Sequence, residues 1–134
     1  MIQLNPERLV FVTERHLATL TTLRADGTPH VVPVAFTWDA GAGVARVTTN
    51  RNSAKARNAR GYAADGAPPR AALCQVDGGR WLTLEGTIEA VEDPAEIADA
   101  VARYARRYRQ LGENPDRIVL RLTPDRSMSS TYMA

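Results

Sequence analysis

The 134-residue chain has one cysteine, Cys74, and only two histidines, His16 and His30. A single cysteine excludes a disulfide within the chain, and three such side chains are too few for a conventional cysteine and histidine zinc site. We therefore expect no metal. Neither histidine lies in a serine and aspartate pattern typical of a catalytic triad, so the residues alone nominate no catalytic group. Cys74 lies in an apolar strand, where we expect a buried, inert thiol.

Long apolar runs are also missing. Every apolar stretch ends within about ten residues at Arg, Asp or Pro, whereas a membrane-spanning helix needs about 20 apolar residues. The first residues, MIQLNPERLV, have neither the basic segment nor the long apolar segment of a secretion signal. The length and the 44% of hydrophobic residues suit one ordinary core. We expect a cytoplasmic protein with one domain, residues 1–134, and no membrane partner.

Lysine is nearly absent: of the 17 basic residues, only Lys55 is not an arginine. This bias is typical of a G+C-rich genome, so the arginines are weak evidence for nucleic-acid binding. The formal net charge is only +2, and aromatic residues do not alternate with the basic ones as in single-strand binders. We therefore expect no nucleic-acid partner.

Turn signals divide the chain into six short strands. Asp26-Gly27 separates two runs rich in Val, Thr and aromatic residues, 16–25 and 28–39, which predicts a hairpin. Residues 44–50, VARVTTN, would add a third strand in an antiparallel meander. A second hairpin, RAALCQVDG and RWLTLEGTIEAVE, is predicted across Asp77-Gly78-Gly79, and RIVLRLTPD supplies the sixth strand.

Three helices are predicted between the strands. A short helix would cover residues 6–15, and a second would cover residues 52–64 with Ser53 or Asn52 as its N-cap. The third would begin after Asp93, as a capping box with Glu96, and end at Gly112. Its apolar residues recur at helical spacing and are expected to contact the core: Ile97, Val101, Tyr104, Tyr108 and Leu111. The fold class is therefore mainly β, a small antiparallel β-barrel with flanking helices.

The junction between the third strand and the second helix carries the most chemistry. Unpaired backbone N–H groups and the positive end of a helix dipole favour a phosphate there. Thr48, Ser53 and Lys55 would contact it directly, with Arg57 or Asn58 behind them. The alternative is a helix cap followed by a solvated basic face, and local sequence leaves both open. No Walker loop or GxGxxG motif occurs.

Pro33 interrupts the run VVPVAF and has no N–H for a ladder, so its strand must be an edge or be bulged. The backbone around Val32, Pro33 and Val34 would then border a planar ligand, or would form a plain edge. Trp81 could stack on a ring or fill the barrel.

Four arginines, Arg103, Arg106, Arg107 and Arg109, lie in the second half of the third helix. A solvated face is the default expectation, and a landing site for an acidic tail or substrate is the alternative. If the chain is an enzyme, a cofactor would do the difficult chemistry.

Three motifs in order, HLATLTTLRADGTPHVVPVAF, VTTNRNSAKARNAR and WLTLEG, resemble the pyridoxamine 5'-phosphate oxidase-like family of split β-barrel, FMN-binding-like proteins. Within this family, LATLTTLRAD, HVV, QVDGGRWLTLEG and RYARRYR resemble the branch that uses the deazaflavin coenzyme F420, in particular the F420-dependent biliverdin reductases. The resemblance runs over nearly the whole chain.

The resemblance implies a homodimer with two cofactor sites at the subunit interface. By motif, the cofactor phosphate would be held by Thr48, Ser53, Lys55 and Asn58, and the ring would be bordered by Val32, Pro33 and Val34. Gln75, Arg80 and Trp81 would lie near the ring or the substrate, from the same or the other subunit. An arginine-rich surface would suit the oligoglutamate tail of F420.

The activity implied by the resemblance is an F420H2-dependent reductase that passes a hydride to a conjugated small-molecule acceptor such as biliverdin or a related tetrapyrrole. The alternatives are an FMN-dependent oxidoreductase of the same family and a non-catalytic flavin- or haem-binding module. One segment departs from the family pattern: Gly61–Arg70 lengthens the link between the second helix and the fourth strand, near the expected cofactor site.

Overall fold

Seven antiparallel strands form one curled sheet in the computed structural model, which describes residues 1–133, except for the side chain of Tyr132. Ala134, the last residue of the predicted domain, lies outside the described residues. The strands are β1 Ala18–Leu23, β2 Pro29–Val34, β3 Phe36–Asp39, β4 Val44–Asn50, β5 Arg70–Asp77, β6 Arg80–Val91 and β7 Arg117–Ser129. The helices are α1 Pro6–Phe11, α2 Ala54–Arg60 and α3 Pro94–Arg107, and a 3-10 turn, Thr131–Met133, follows β7.

The strand order, β2-β1-β5-β6-β7-β4-β3, explains the barrel shape. β2 and β3 are the two edges of the sheet, yet only Ala35 separates them in the chain. One residue spans about 3.5 Å, so the sheet must curl until its edges nearly meet. Ala35 therefore marks a seam where the barrel is split.

The seam corrects the predicted meander. Residues 28–39 are not one strand, because the chain leaves β2 at Val34 and begins β3 on the opposite edge at Phe36. β3 pairs with β4, and β2 pairs only with β1. The prediction from Pro33 is confirmed, since β2 is an edge strand, and both predicted hairpins form, with Gly27 and Gly78 at positive φ.

The observed core follows the alternation of inward and outward side chains along the strands. The inward side chains of β1, β5, β6 and β7 are fully buried, among them Leu20, Leu73, Leu82, Leu84, Ile88, Ile118 and Leu120. Each contributes about 1.5–3 kcal/mol by leaving water. Phe11, from α1, joins this cluster.

The helices begin where predicted but end earlier. Ser53 caps α2 and Asp93 caps α3, each accepting a hydrogen bond from a backbone N–H three residues on. α1 ends at Phe11 rather than residue 15, and α2 ends at Arg60. α3 ends at Arg107, five residues before Gly112, because tertiary contacts hold the next residue in a non-helical conformation. Among the described residues, no helix has the length and apolarity needed to cross a bilayer.

Ion pairs hold α3 across β3, β4 and β7. The Arg46 guanidinium, on β4, lies 2.8 Å from Asp39 Oδ2 and 2.9 Å from Glu96 Oε1. Arg121, on β7, lies 2.9 Å from Glu96 Oε2. Because these groups are half-buried or buried, they fix the helix beside the seam between β2 and β3.

Candidate functional site

A cleft of about 280 Å³ opens at the seam, between the end of β2, the end of β4, the start of α2 and the segment after α3. Four residues predicted from the sequence line it: Pro33, Val34, Thr48 and Lys55. Since these come from three separate elements, the fold assembles the predicted phosphate end and the predicted ring border into one site.

Lys55 has an unusual position for a cation. It lies in the first turn of α2 and is half-buried, and among the described residues no carboxylate oxygen comes within 4.0 Å of its Nζ. Burial lowers the pKa of its ammonium group below the ordinary lysine value. A half-buried cation without a counter-ion is stabilised by an anion from outside the chain.

Arg117 is a second cation in the cleft, and sequence reasoning missed it. It begins β7 and pairs in register with Asn50, the last residue of β4, which brings it beside Thr48. Within residues 1–133 its guanidinium has no ion pair, although its backbone N–H donates to Asn114 O at 3.1 Å. The sequence signal was only an arginine at the start of a strand, and strand register decided its neighbours.

Other lining residues were not predicted as site residues. Ala35 lies at the seam, Tyr104 projects from α3, and Leu111 and Asn114 come from the segment after α3. Helical periodicity had assigned Tyr104 and Leu111 to the core. They line the cleft because α3 is packed over the seam rather than over a closed sheet.

Ser53 and Arg57 lie near the cleft without lining it. The Ser53 hydroxyl accepts from Ala56 N at 3.2 Å and from the Thr49 hydroxyl at 3.1 Å, so it is engaged in capping α2. Arg57 is exposed, and its Nη1 donates to Asn52 O at 3.0 Å. Ser53 thus acts by holding the turn of helix that carries Lys55.

Asn58 lies behind the cleft as a buried link. Its side chain is 3% exposed, and its Nδ2 donates to the Thr22 hydroxyl at 3.0 Å. The Tyr62 hydroxyl donates to its Oδ1 at 2.8 Å. Both ends of the amide are therefore engaged: one joins α2 to β1, and the other holds the segment that follows α2.

Gln75, Val32 and Trp81 do not line the cleft. Gln75 is 1% exposed; its Nε2 donates to Phe11 O at 2.8 Å, and its Oε1 accepts from Arg107 Nη2 at 2.6 Å. Val32 packs against the core. Trp81 pairs with exposed Val76 across β5 and β6, so it lies on the outer face and does not fill the barrel. Their cofactor roles stay predictions.

Cys74 alternates with buried neighbours on β5 and is partly exposed, so the expectation of a buried thiol is wrong. The strand reads as apolar, but its even positions face outward. Strand alternation relative to the core decided which residues were inside.

Arg80 belongs to an ion-pair network at the start of β6. Its Nη2 lies 2.8 Å from Glu14 Oε1 and also contacts Asp77. This arginine is the main cause of the lowered pKa of both carboxyls. The nearby His16 Nε2 lies 3.1 Å from Glu14 Oε1. Arg80 thus offsets the negative charge of this cluster.

The four arginines predicted for the third helix do not share one environment, and Arg109 lies beyond the end of α3. Arg103 lies 2.8 Å from Asp99 and 3.3 Å from Asp39, and Arg107 is largely buried and donates to three oxygens. The expectation of a solvated face is therefore wrong for these two. Arg106 and Arg109 are exposed and have no ion pair among the described residues.

The sequence and the fold of the chain can be compared with those of known proteins. Residues 4–129 match the family described as pyridoxamine 5'-phosphate oxidase. The chain belongs to this family. The match covers almost the whole chain, so both the resemblance inferred from the motifs and the mainly β, split-barrel fold class are confirmed.

Within the pyridoxamine 5'-phosphate oxidase family, one curated relative is an F420H(2)-dependent biliverdin reductase of Mycobacterium tuberculosis (strain CDC 1551 / Oshkosh). It is 46% identical over 128 residues, which cover 96% of this chain and 89% of the relative. A solved F420 reductase has a TM-score of 0.70 and 27% identity, over 95% of this chain and 98% of that one. A conserved hypothetical protein from Mycobacterium tuberculosis has a TM-score of 0.77 and 23% identity, over 97% of this chain and 86% of that one, and shows the fold alone.

Proposed function

We propose that this member of the pyridoxamine 5'-phosphate oxidase family is an F420H2-dependent reductase that acts on biliverdin. The observation that carries the proposal is the 46% identity, over 96% of the chain, to a protein with that activity. The likeness to a solved F420 reductase supports the same cofactor.

The residues of the cleft fit a phosphate-bearing cofactor. Lys55 and Arg117 are cations without a carboxylate partner among the described residues, and the Thr48 side chain lines the same cleft. They would hold the phosphate, since charge-assisted hydrogen bonds to phosphate are the strongest that such side chains make. The backbone of Pro33 and Val34, on an edge strand, would border the deazaflavin ring.

The bound cofactor, once reduced, supplies a hydride to the conjugated acceptor, and a proton completes the reduction. The contribution of the chain is to bind and orient. A ring border fixed on the barrel edge and a phosphate fixed at Lys55 would hold the cofactor at two points. Two-point anchoring keeps donor and acceptor carbons at reacting distance, which is worth several kcal/mol of barrier, on the order of 7–11 for well-oriented reactants.

The first test is a titration of the purified apoprotein with F420 and, separately, with FMN. We expect F420 to bind much more tightly than FMN, by fluorescence polarisation and flavin quenching. We also expect F420H2 to be consumed mole for mole with biliverdin, followed by absorbance. Preference for FMN would instead support a flavin oxidoreductase, and F420 binding without acceptor reduction would support a carrier.

We also propose that the chain works as a homodimer. The outer face of the barrel carries exposed apolar side chains on three neighbouring strands: Leu23 on β1, Val31 on β2 at 56% exposed and Val76 on β5 at 53% exposed. Trp81 lies beside Val76 on that face. Several exposed apolar side chains on one sheet face are typical of an interface, and a second copy covering this face would bring Trp81 towards a neighbouring site.

The dimer is tested with a double variant, Val31→Asp with Val76→Asp. We expect the wild-type chain, 14.6 kDa, to elute as a dimer in size-exclusion chromatography with light scattering, and the double variant to elute as a monomer. Val10→Asp is the matched control, because Val10 is also an exposed valine but lies on α1. A monomeric wild type, or an equal effect of Val10→Asp, would contradict the proposal.

For the location of the enzyme we propose the cytoplasm. The one cysteine, Cys74, is free and partly exposed. A free cysteine is typical of a reducing compartment, where thiols are kept reduced.

A further inference from the structure

A second hollow of about 350 Å³ adjoins the cleft and shares Ala35 and Tyr104 with it. We call it the side compartment; it is completed by Arg15, Leu17, Tyr108 and Arg109, with His16 beside them. It lies between the segment that precedes β1 and the end of α3. Because the two spaces share lining residues, they lie side by side, within reach of one long ligand.

The wall of the side compartment is aromatic and rigid. The rings of Tyr104 and Tyr108 lie 4.9 Å apart between centroids. The Tyr108 hydroxyl lies 2.9 Å from Phe36 O and 3.1 Å from His16 O, which fixes the ring. Leu17 is 62% exposed at the rim. Flat, conjugated groups pack well against such a surface.

The side compartment is also cationic. Arg15 and Arg109 are both exposed, and among residues 1–133 neither has a carboxylate within 4.0 Å. The acidic neighbour on the same segment, Glu14, is held by Arg80 at 2.8 Å instead. Arg107, two residues before Arg109, donates the N–H groups of its guanidinium to protein oxygens. Two arginines are thus left for an external partner.

We propose that the side compartment binds carboxylate groups of a ligand that also occupies the cleft, with Arg15 and Arg109 as the partners. The planar guanidinium matches a carboxylate with two hydrogen bonds. This inference rests on the proposed function, in which two ligands carry carboxylates: the propionate groups of biliverdin and the glutamate tail of F420. The structure assigns the chemistry of the compartment, and the experiment separates the two sources.

The test uses the double variant Arg15→Ala with Arg109→Ala. F420 binding to the apoprotein and biliverdin binding to the F420-loaded protein are both measured by equilibrium titration. We expect about tenfold weaker binding of at least one ligand, since losing a hydrogen bond to a charged group costs about 1.5–3 kcal/mol. Arg106→Ala is the matched control, because Arg106 is an exposed arginine at the end of α3, near Arg109 in the chain, but does not line the compartment; it should leave both dissociation constants unchanged.

Two further ligands identify the source. If biliverdin supplies the carboxylates, its dimethyl ester should bind the wild type as weakly as it binds the double variant. If the tail supplies them, the loss caused by the double variant should grow from F420 with one glutamate to F420 with several. In either case, the loss of affinity should become smaller as salt is added, because salt screens exposed charges.

The inference and the proposed function fail differently. If the wild type binds and reduces biliverdin with F420H2 while the double variant keeps both dissociation constants within twofold, the side compartment is not a carboxylate site and the reductase assignment stands. If the wild type binds neither F420 nor biliverdin, both are wrong.

Discussion

Replacing Lys55 with alanine is expected to weaken F420 binding by about 10- to 100-fold, the equivalent of one charge-assisted hydrogen bond of about 1.5–3 kcal/mol. Lys55 is half-buried in the cleft and has no counter-ion among the described residues, so the cofactor phosphate would be the group that compensates its charge. Fluorescence polarisation of F420 measures the change. Arg117→Ala should produce a smaller loss in the same direction, because Arg117 lines the same cleft.

The matched control is Arg60→Ala. Arg60 lies on the same helix, is exposed, and donates to Arg51 O at 2.9 Å without lining the cleft. Its variant should bind F420 as the wild type does. Equal losses for Lys55→Ala and Arg60→Ala would show that binding depends only on the overall positive charge of the helix. They would contradict a direct contact between Lys55 and the phosphate.

The pH dependence of binding gives a second readout. Lys55 holds the phosphate only while it is protonated, and burial lowers its pKa. As the pH rises, F420 affinity should therefore begin to fall at a lower pH than it would with a lysine of ordinary pKa. The Lys55→Ala variant should lack this fall. A wild-type profile that stays flat up to the ordinary lysine pKa would contradict the role of burial.

The same pKa direction predicts the stability of the apoprotein. The folded-state pKa of Lys55 is lower than its unfolded value, so the unfolded chain binds the proton more tightly and the charge opposes folding at neutral pH. Stability should rise as the pH passes upward between the two pKa values. Lys55→Met should thus be at least as stable as the wild-type apoprotein in urea unfolding, which separates lost binding from lost folding.

Replacing Arg107 with alanine is expected to lower the free energy of unfolding by about 3 kcal/mol. Its guanidinium donates to Glu14 O at 2.9 Å, to Phe36 O at 2.6 Å and to Gln75 Oε1 at 2.6 Å. These oxygens belong to the segment before β1, to β3 and to β5, so one side chain ties three parts of the barrel to α3. Alanine would leave the buried Gln75 Oε1 without a donor, whereas Phe36 O would keep the Tyr108 hydroxyl and Glu14 O the backbone N–H of His16.

Urea unfolding followed by circular dichroism measures this change, and Arg106→Ala is again the control. Arg106 is the preceding residue, exposed and without an ion pair among the described residues, so its variant should stay within about 0.5 kcal/mol of the wild type. Equal effects of the two variants would show that the contacts of Arg107 do not carry the stability. Arg107→Lys should recover only part of it, because a lysine reaches one oxygen where the guanidinium reaches three.

The contrast between Arg106 and Arg107 shows what local sequence could not decide. Both lie in one arginine-rich run on an amphipathic helix, and a solvated face was the reasonable expectation for both. Which of them is buried depends on the carbonyl of Phe36 and the amide of Gln75, residues 32 to 71 positions away. The same holds for Arg117, whose place in the cleft follows from its register with Asn50.

By itself, the sequence determined the turns, the helix caps, the restriction of the strand that contains Pro33 to an edge or a bulge and, through ordered motifs, the family. These features depend on neighbouring residues: glycine at positive φ, a capping side chain three residues from an N–H, and proline without a donor. It also placed Lys55 and Thr48 in one site, because strand and helix meet there within a few residues.

Only the tertiary structure decided the seam at Ala35, the early end of α3 and the two adjoining spaces beside it. A sheet closes because of the summed twist and pairing of seven strands, and no local pattern contains that sum. Closure of the sheet then decided which arginines donate to protein oxygens and which, like Arg15 and Arg109, are available to bind a ligand.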